Sequence, residues 1–187
     1  MKTYRVVLWA LALVGLAADQ ATKYGIFSWL DGAQQDRFWL LKFDDAHGFA
    51  LAPNPNLNRG ALFGLGQEEG FANNAFAFVS LLAAVAIVYW SFRRSAARDL
   101  WVCVALGLIL AGTLGNLYDR VVFHGVRDFL HWNFLFNWPV FNIADSCLVC
   151  GAGLLLLQAF GHQAAGKALP ADKTPGSCMG ATPTAKG

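Results

Sequence analysis

Of the 187 residues, 56% are hydrophobic, 14% aromatic and only 14% charged, and the formal net charge is +2. Soluble domains carry roughly 25% charged residues, and disordered chains lack the aromatic side chains that abound here, so both classes are excluded and a membrane protein is expected. The 14 Lys and Arg face 12 Asp and Glu with no basic run, which removes nucleic acid as a partner.

In chain order, residues 5–24, 75–92, 100–122 and 139–160 are apolar enough and long enough to cross about 30 Å of hydrocarbon. They predict an all-α membrane protein, a four-transmembrane-helix bundle within a polytopic domain of residues 1–163. The first segment has the look of a cleavable secretory signal, with Lys2 and Arg5 ahead of an apolar run ending near Ala18. Three further spans and the polar stretch Asp19-Gln20-Ala21-Thr22-Lys23 argue instead for a retained helix.

Residues 26–72 are too many for a simple turn, and they set Trp29, Phe38, Trp39, Phe43 and Phe49 among Gly, Pro, Asn and Asp. A small extracytoplasmic β-rich element between helices 1 and 2 is expected there, with short strands at 38–43 and 60–65 resting on the membrane surface. Residues 164–187 turn to Ala, Gly, Pro, Thr, Ser and Lys and are expected to form a disordered tail. Lys2 and Arg5, then Arg93, Arg94 and Arg98, then Lys167, Lys173 and Lys186 fall on one side of a four-span topology. Residues 31–69, opposite, hold six acids and three bases, so both termini are expected in the cytoplasm.

Three of the four cysteines, Cys103, Cys147 and Cys150, lie in apolar sequence, where Cys behaves as a small hydrophobe. The Cys147-x-x-Cys150 pair lacks further ligands at zinc spacing, and His47, His124 and His131 form no metal-binding pattern. No metal and no cofactor are expected. Cys178 belongs to the tail.

The ionisable and amide groups cluster instead. Asp19 and Lys23 end the first span, Asn116, Asp119 and Arg120 end the third, Asn142 and Asp145 begin the fourth, and Asp128 lies just outside. In the predicted topology all fall at the outer end of their helices, and intramembrane ionisable groups are costly enough that each is a functional candidate. Asn116, Asp119 and Arg120 share a helical face, as do Asn142 and Asp145. Asp145 is expected roughly 9 Å along the helix from Pro139, within reach of the outer leaflet.

Two carboxyls in a partly dry site share a proton, the arrangement needed to activate water with one and protonate a leaving amide with the other. Asp128 and Asp145 suit this role, because Asp119 has Arg120 beside it for charge balance. The alternatives have physical grounds too. Asp145 is placed to stabilise the first turn of helix 4, Asn116 to join helices, and Arg120 to pair with Asp119 or extend to the interface. The aromatic run 129–138 reads as an interfacial belt.

Asp19-Gln20-Ala21-Thr22-Lys23, Asn58-Arg59-Gly60-Ala61-Leu62-Phe63, Gly115-Asn116-Leu117-Tyr118-Asp119-Arg120, Val126-Arg127-Asp128-Phe129 and Phe141-Asn142-Ile143-Ala144-Asp145-Ser146 resemble, in order, the motifs of the bacterial lipoprotein signal peptidase family, signal peptidase II. The resemblance implies an aspartic endopeptidase of the bacterial cytoplasmic membrane. Such an enzyme removes the signal peptide of diacylglyceryl-modified prolipoproteins just before the lipidated Cys, without a cofactor and as a monomer among membrane lipids. Carried over by position, Asp128 and Asp145 are catalytic; Asn58, Asn116, Arg120 and Asn142 line the substrate site; Asp19, Lys23, Gly60 and Asp119 support it. Thr113-Leu114, Tyr118 and Arg127 depart from the pattern, and Arg127 stands beside a catalytic position, where an inward turn would lower the pKa of Asp128.

Three other functions compete. A transporter or proton relay needs polar groups through the whole bilayer depth, a thiol oxidoreductase needs Cys147 and Cys150 at an aqueous face, and a noncatalytic subunit needs neither aspartate.

Overall fold

The computed structural model describes residues 4–34, 36–44, 47–54, 56–60, 70–93 and 98–167, with main chain alone from 161 onward. Four helices are long and apolar enough to span a membrane: α1 (Arg5–Gly32), α2 (Phe71–Ser91), α3 (Leu100–Val122) and α4 (Ile143–Lys167). Between them lie β1 (Phe38–Lys42), β2 (Gly48–Leu51), β3 (Leu130–Phe134) and the two-residue β4 (Phe136–Asn137).

Helix α3 is the central post, packed against the other three. Its apolar window is 56% buried, against 22% or less for the others. In hydrocarbon the hydrophobic effect gives helices no reason to associate, so close backbone approach and polar contacts must hold the bundle. Accordingly α3 turns small residues toward its neighbours: Gly107 lies under the Leu8 carbonyl and Gly112 under the Ala144 carbonyl. The large apolar side chains point outward, as with Val6, Leu13, Val85, Val149 and Leu157. A surface of that kind suits lipid. Both Gly112 and Gly115 of α3 face protein, Gly112 against α4 and Gly115 against Asp19 and Ala144. Gly112→Val therefore forces α4 away from α3, and overpacking of this kind costs about 1–3 kcal/mol. It is expected as a lower unfolding temperature in detergent; an unchanged temperature would mean that α4 yields freely.

Four boundaries differ from expectation, and the first is the start of α2, which lies at Phe71 rather than 75. Helix α1 does not stop near 24 but runs to Gly32, burying Leu30, a gain that exceeds the roughly 1 kcal/mol penalty of Gly25. At about 42 Å it exceeds the hydrocarbon thickness, so Asp19 and Lys23 lie well inside it. Helix α4 begins at Ile143 rather than 139, because Phe141 is committed to β3, accepting from the main-chain N–H groups of Phe129 and Leu130 and donating to the Leu130 carbonyl. Asp145 thus lies in the first turn. At its other end α4 continues to Lys167, past the expected start of the tail at 164, through the strong helix formers Ala164 and Ala165.

The sheet is antiparallel, in the order β1-β2-β3-β4. Half of it follows α3, so the β-rich element is not confined to the connection between helices 1 and 2. The aromatic run read as a belt supplies β3, with Phe49 opposite Trp132 and Ala50 opposite His131. The strand expected at 60–65 lies, beyond Gly60, outside the described residues, as do the tail from 168 and Cys178.

Candidate active site

The polar cluster occupies the bundle end formed by the middle of α1, the start of α2, the last turns of α3 and the first turn of α4. Asp19, Lys23, Asn116, Asp119, Asp128 and Asn142 are all at most 4% exposed. Burial on that scale demands partners for every charge and amide, and nearly every partner is another member of the cluster.

Asn142 stands at the junction. Its Oδ1 accepts from the main-chain N–H of Asp145 at 2.9 Å, while its own N–H donates to Asp145 Oδ2 at 3.2 Å. This reciprocal arrangement, a capping box in form, turns the Asp145 carboxylate back toward the start of α4. With both oxygen positions committed, the Asn142 amide group is free to donate to Asp128 Oδ1 at 2.7 Å and to Asn116 Oδ1 at 3.2 Å. Asn116 Nδ2 in turn donates to Asp145 Oδ1 at 2.8 Å. Asp145 does stabilise its helix end, and the same geometry joins it to Asp128 through Asn142.

Asp128 belongs to the non-helical segment between α3 and β3, which is stitched to residues 52–58. Asn58 and Val126 exchange two main-chain bonds of 2.9 Å, Ala52 N–H donates to the Phe129 carbonyl at 2.8 Å, and Asn54 N–H donates to the Asp128 carbonyl at 2.9 Å. Asn58 Nδ2 reaches Asp128 Oδ2 at 3.0 Å, and Asn58 Oδ1 accepts from Gly60 N–H at 3.0 Å. Gly60 has φ +91° and the Phe76 ring where a Cβ would stand, so glycine is required for that hold on Asn58. Burial, reinforced by the charge of Asp145 and opposed by the Asn58 and Asn142 hydrogen bonds, pushes the Asp128 carboxyl up to about 6.

Below the pair lies a charge network. Lys23 uses all three ammonium donors, on Asp19 at 2.8 Å, Asp119 at 3.1 Å and Asn116 Oδ1 at 3.3 Å. Asp19 also accepts from Ala144 N–H at 2.9 Å, satisfying a second donor at the start of α4. Asp119 receives Arg127 twice, from Nη2 at 2.8 Å and from the main-chain N–H at 3.0 Å. Two carboxylates thus face two cations.

Two expectations are corrected here. Asp119 is balanced by Lys23 and Arg127, not by Arg120: adjacent helical residues diverge by about 100° around the axis, and Arg120 turns the other way. Its guanidinium lies 5.4 Å over the Phe76 ring, donates to the Asn116 carbonyl at 3.4 Å, and has Asp145 and Asp128 as the foremost charges acting on it. Arg120 Nε has no hydrogen-bond partner among the described residues. Arg127, for its part, points at Asp119 rather than at Asp128.

All ten residues singled out by sequence therefore belong to one connected cluster or hold it directly. Sequence reasoning gave no role to Asn73, whose Nδ2 donates to the Arg120 carbonyl at 3.2 Å, or to Gln20 as a bridge between Asp119 and Arg127. A polar residue at the start of an otherwise apolar helix is the signal that marks Asn73. No three His, Cys, Asp or Glu side chains gather as a metal site among the described residues. Cys147 and Cys150 are not bridged, and Cys150 is exposed on the outside of α4.

A four-helix bundle with a surface sheet and two carboxyls joined by an asparagine at one end of the spans defines a class of multi-pass membrane hydrolase. The model of signal peptidase (SPase) II matches residues 11–161. The chain is 40% identical to the lipoprotein signal peptidase of Rhodopirellula baltica, over 90% of this chain and 81% of that one. It is 36% identical to the lipoprotein signal peptidase of Pseudomonas syringae pv. tomato, over 86% and 88%. Two solved structures described as bacterial membrane enzymes, obtained by the in meso method at 2.3 and 1.9 Å resolution, superpose with TM-scores of 0.72 and 0.68 at 27% and 28% identity. They cover 91% and 84% of this chain and 98% and 95% of their own. The chain belongs to the signal peptidase II family, a family of proteases, and is a multi-pass bacterial membrane protein.

Proposed function

We propose that this protein is an aspartic endopeptidase that releases the signal peptide of diacylglyceryl-modified prolipoproteins just before the lipidated Cys, with Asp128 and Asp145 as its catalytic pair. The observation that carries this reading is the Asn142 bridge, which donates to one carboxylate through its side chain and to the other through its main chain. Asp128, buried and with its carboxyl raised to about 6, holds the shared proton, while the half-buried Asp145 draws a proton from water. Water attacks the scissile carbonyl, Asp128 protonates the departing amide nitrogen, and the Arg120 guanidinium, facing both acids, stabilises the oxyanion. Asn58, Asn116 and Asn142 hold the acids and line the substrate. Asp19, Lys23, Asp119 and Gly60 support them.

The basic residues near the span ends favour cytoplasmic termini, which puts the pair near the outer face of the cytoplasmic membrane, where a lipid-anchored substrate presents its cut site. The protein is expected to act as a monomer with lipid and prolipoprotein as its partners, and residues 1–163 as its catalytic domain. The test is incubation of the purified chain in detergent with a prolipoprotein bearing diacylglyceryl and with the same chain unmodified, read by mass spectrometry. Cleavage before the lipidated Cys supports the reading; an intact lipidated substrate beside folded enzyme rejects it.

The raised Asp128 carboxyl also gives the reaction a pH dependence. A carboxyl raised to about 6 is protonated below that pH and loses its proton above it. The ratio kcat/KM is therefore expected to fall as pH rises through about 6, by roughly tenfold per unit once the pair holds no proton. A profile flat from pH 5 to about 8 would exclude a required proton on this pair.

A further inference from the structure

We infer that Arg127 is a positioning residue for Asp128, tethering the segment that carries this carboxyl to α1 and α3 through a buried carboxylate, an amide and two aromatic rings. The inference rests on the reading of Asp128 as half of the catalytic pair.

Residues 124–129, beyond the α3 C-cap Phe123, have no helix or strand of their own, and segments of that kind are ordinarily the least constrained part of a fold. Asp128 nonetheless has to keep both oxygens on donors from different elements, Asn58 Nδ2 at 3.0 Å and Asn142 Nδ2 at 2.7 Å. The main-chain bonds to residues 52–58 and to Phe141 fix the segment to the sheet side. Its attachment to the helices runs through Arg127.

That attachment is specific in geometry. Asp119 binds Arg127 at both ends, Oδ2 accepting from the main-chain N–H at 3.0 Å and Oδ1 from Nη2 at 2.8 Å. A residue held at backbone and guanidinium by one rigid carboxylate on α3 cannot slide or rotate without losing a bond. Nη2 also donates to Gln20 Oε1 on α1 at 2.9 Å. The guanidinium carbon lies 4.3 Å from the ring centre of Tyr24 and 4.2 Å from that of Phe123, close enough for cation–π attraction. The side chain is 6% exposed. Where main chain runs alongside a neighbouring segment, successive side chains alternate in direction, so an Arg127 fixed toward α1 and α3 turns Asp128 toward Asn58 and Asn142.

Arg127 also supplies the second cation on Asp119, beside Lys23, so a charge role has to be separated from a geometric one. Arginine and lysine do that: lysine restores the charge but has neither the planar fork nor the stacking surface. The experiment uses the full chain in detergent as wild type, Arg127→Met and Arg127→Lys. It measures kcat and KM on diacylglyceryl-modified prolipoprotein, normalised to folded protein, and hydrogen exchange of the main-chain amides of 126–130 without substrate.

In Arg127→Met, kcat is expected to fall on the order of 10- to 100-fold with KM held within about twofold, as when a reacting group drifts by about an ångström. Arg127→Lys should recover thermal stability while its kcat stays well below wild type. In both, amides 126–130 should exchange faster while α3 is unchanged. Wild-type exchange in folded Arg127→Met overturns the tether whatever the activity. Full kcat in Arg127→Lys also overturns it and leaves charge balance alone. A wild type that fails to cleave, beside faster exchange in the variants, rejects the peptidase reading and keeps the tether.

Discussion

Asp128→Asn and Asp145→Asn are each expected to lower kcat for prolipoprotein cleavage by about 10²–10⁴-fold, the span general acid–base groups contribute, while the protein stays folded. The amide retains the size of the carboxyl but neither takes a proton from water nor delivers one to a leaving nitrogen. At Asp128 it also sets an NH₂ group against one of two donors, Asn58 Nδ2 or Asn142 Nδ2, so one hydrogen bond is lost.

Stability should move the other way. The folded carboxyl titrates at about 6, above the ordinary value near 3.9. The folded state thus holds this proton more tightly than the unfolded chain, and what Asp128 contributes to stability declines as pH rises from about 4 through 6. Above that window the native protein carries a buried, ionised carboxylate at a cost that Asn removes. Asp128→Asn is therefore expected to unfold at an equal or higher temperature than wild type at pH 8. Parallel loss of folding and activity would reassign Asp128 to a structural role, and retained activity would remove it from the mechanism.

Lys23→Met is expected to be the most destabilising single change in the spans. Lys23 is fully buried, and its ammonium is shared by Asp19, Asp119 and Asn116. Removing one partner of a buried ion cluster strands the others and costs about 3–5 kcal/mol. Here it leaves Asp19 without a cation among the described residues, since Arg127 pairs with Asp119. The damage should reach the site as well, since Asp19 caps the start of α4 and Asn116 donates to Asp145. Folded yield and unfolding temperature in detergent measure the effect. Lys23→Met/Asp19→Asn should regain a large part of the loss, because it withdraws the carboxylate that has lost its cation while Asp119 keeps Arg127. A single variant as stable as wild type would mean that the network is bypassed by water or proton uptake.

Lys23 is joined to Asp145 through Asn116, and Asn142 bonds both Asn116 and Asp145. Buried amides that donate and accept at fixed atoms transmit position, since moving one leaves another unsatisfied. The Lys23 network therefore bears on the positions of Asp128 and Asp145.

The sequence by itself determined the membrane class, the number of spans and the end of the bundle at which the buried polar groups gather. Each follows from local quantities: apolar length against hydrocarbon thickness, and the cost of placing Asp19, Lys23, Asn116, Asp119 and Asp145 in a membrane helix without a reason. The i, i+3 spacing of Asn142 and Asp145 likewise foretold that they act together.

What only the tertiary structure decided is which charge meets which. Asp119 and Arg120 are neighbours in sequence, yet the helix turns them apart, and the partners of Asp119 arrive from α1 and from the segment after α3. The sheet required the pairing of Phe49 with Trp132, an interaction between distant stretches that leaves no trace in local alternation. The length of α1 and the late start of α4 were likewise set by contacts far along the chain, the burial of Leu30 and the commitment of Phe141 to β3. Local propensity and hydropathy fix elements; the partners of a buried charge are fixed by whichever elements packing brings within hydrogen-bond reach.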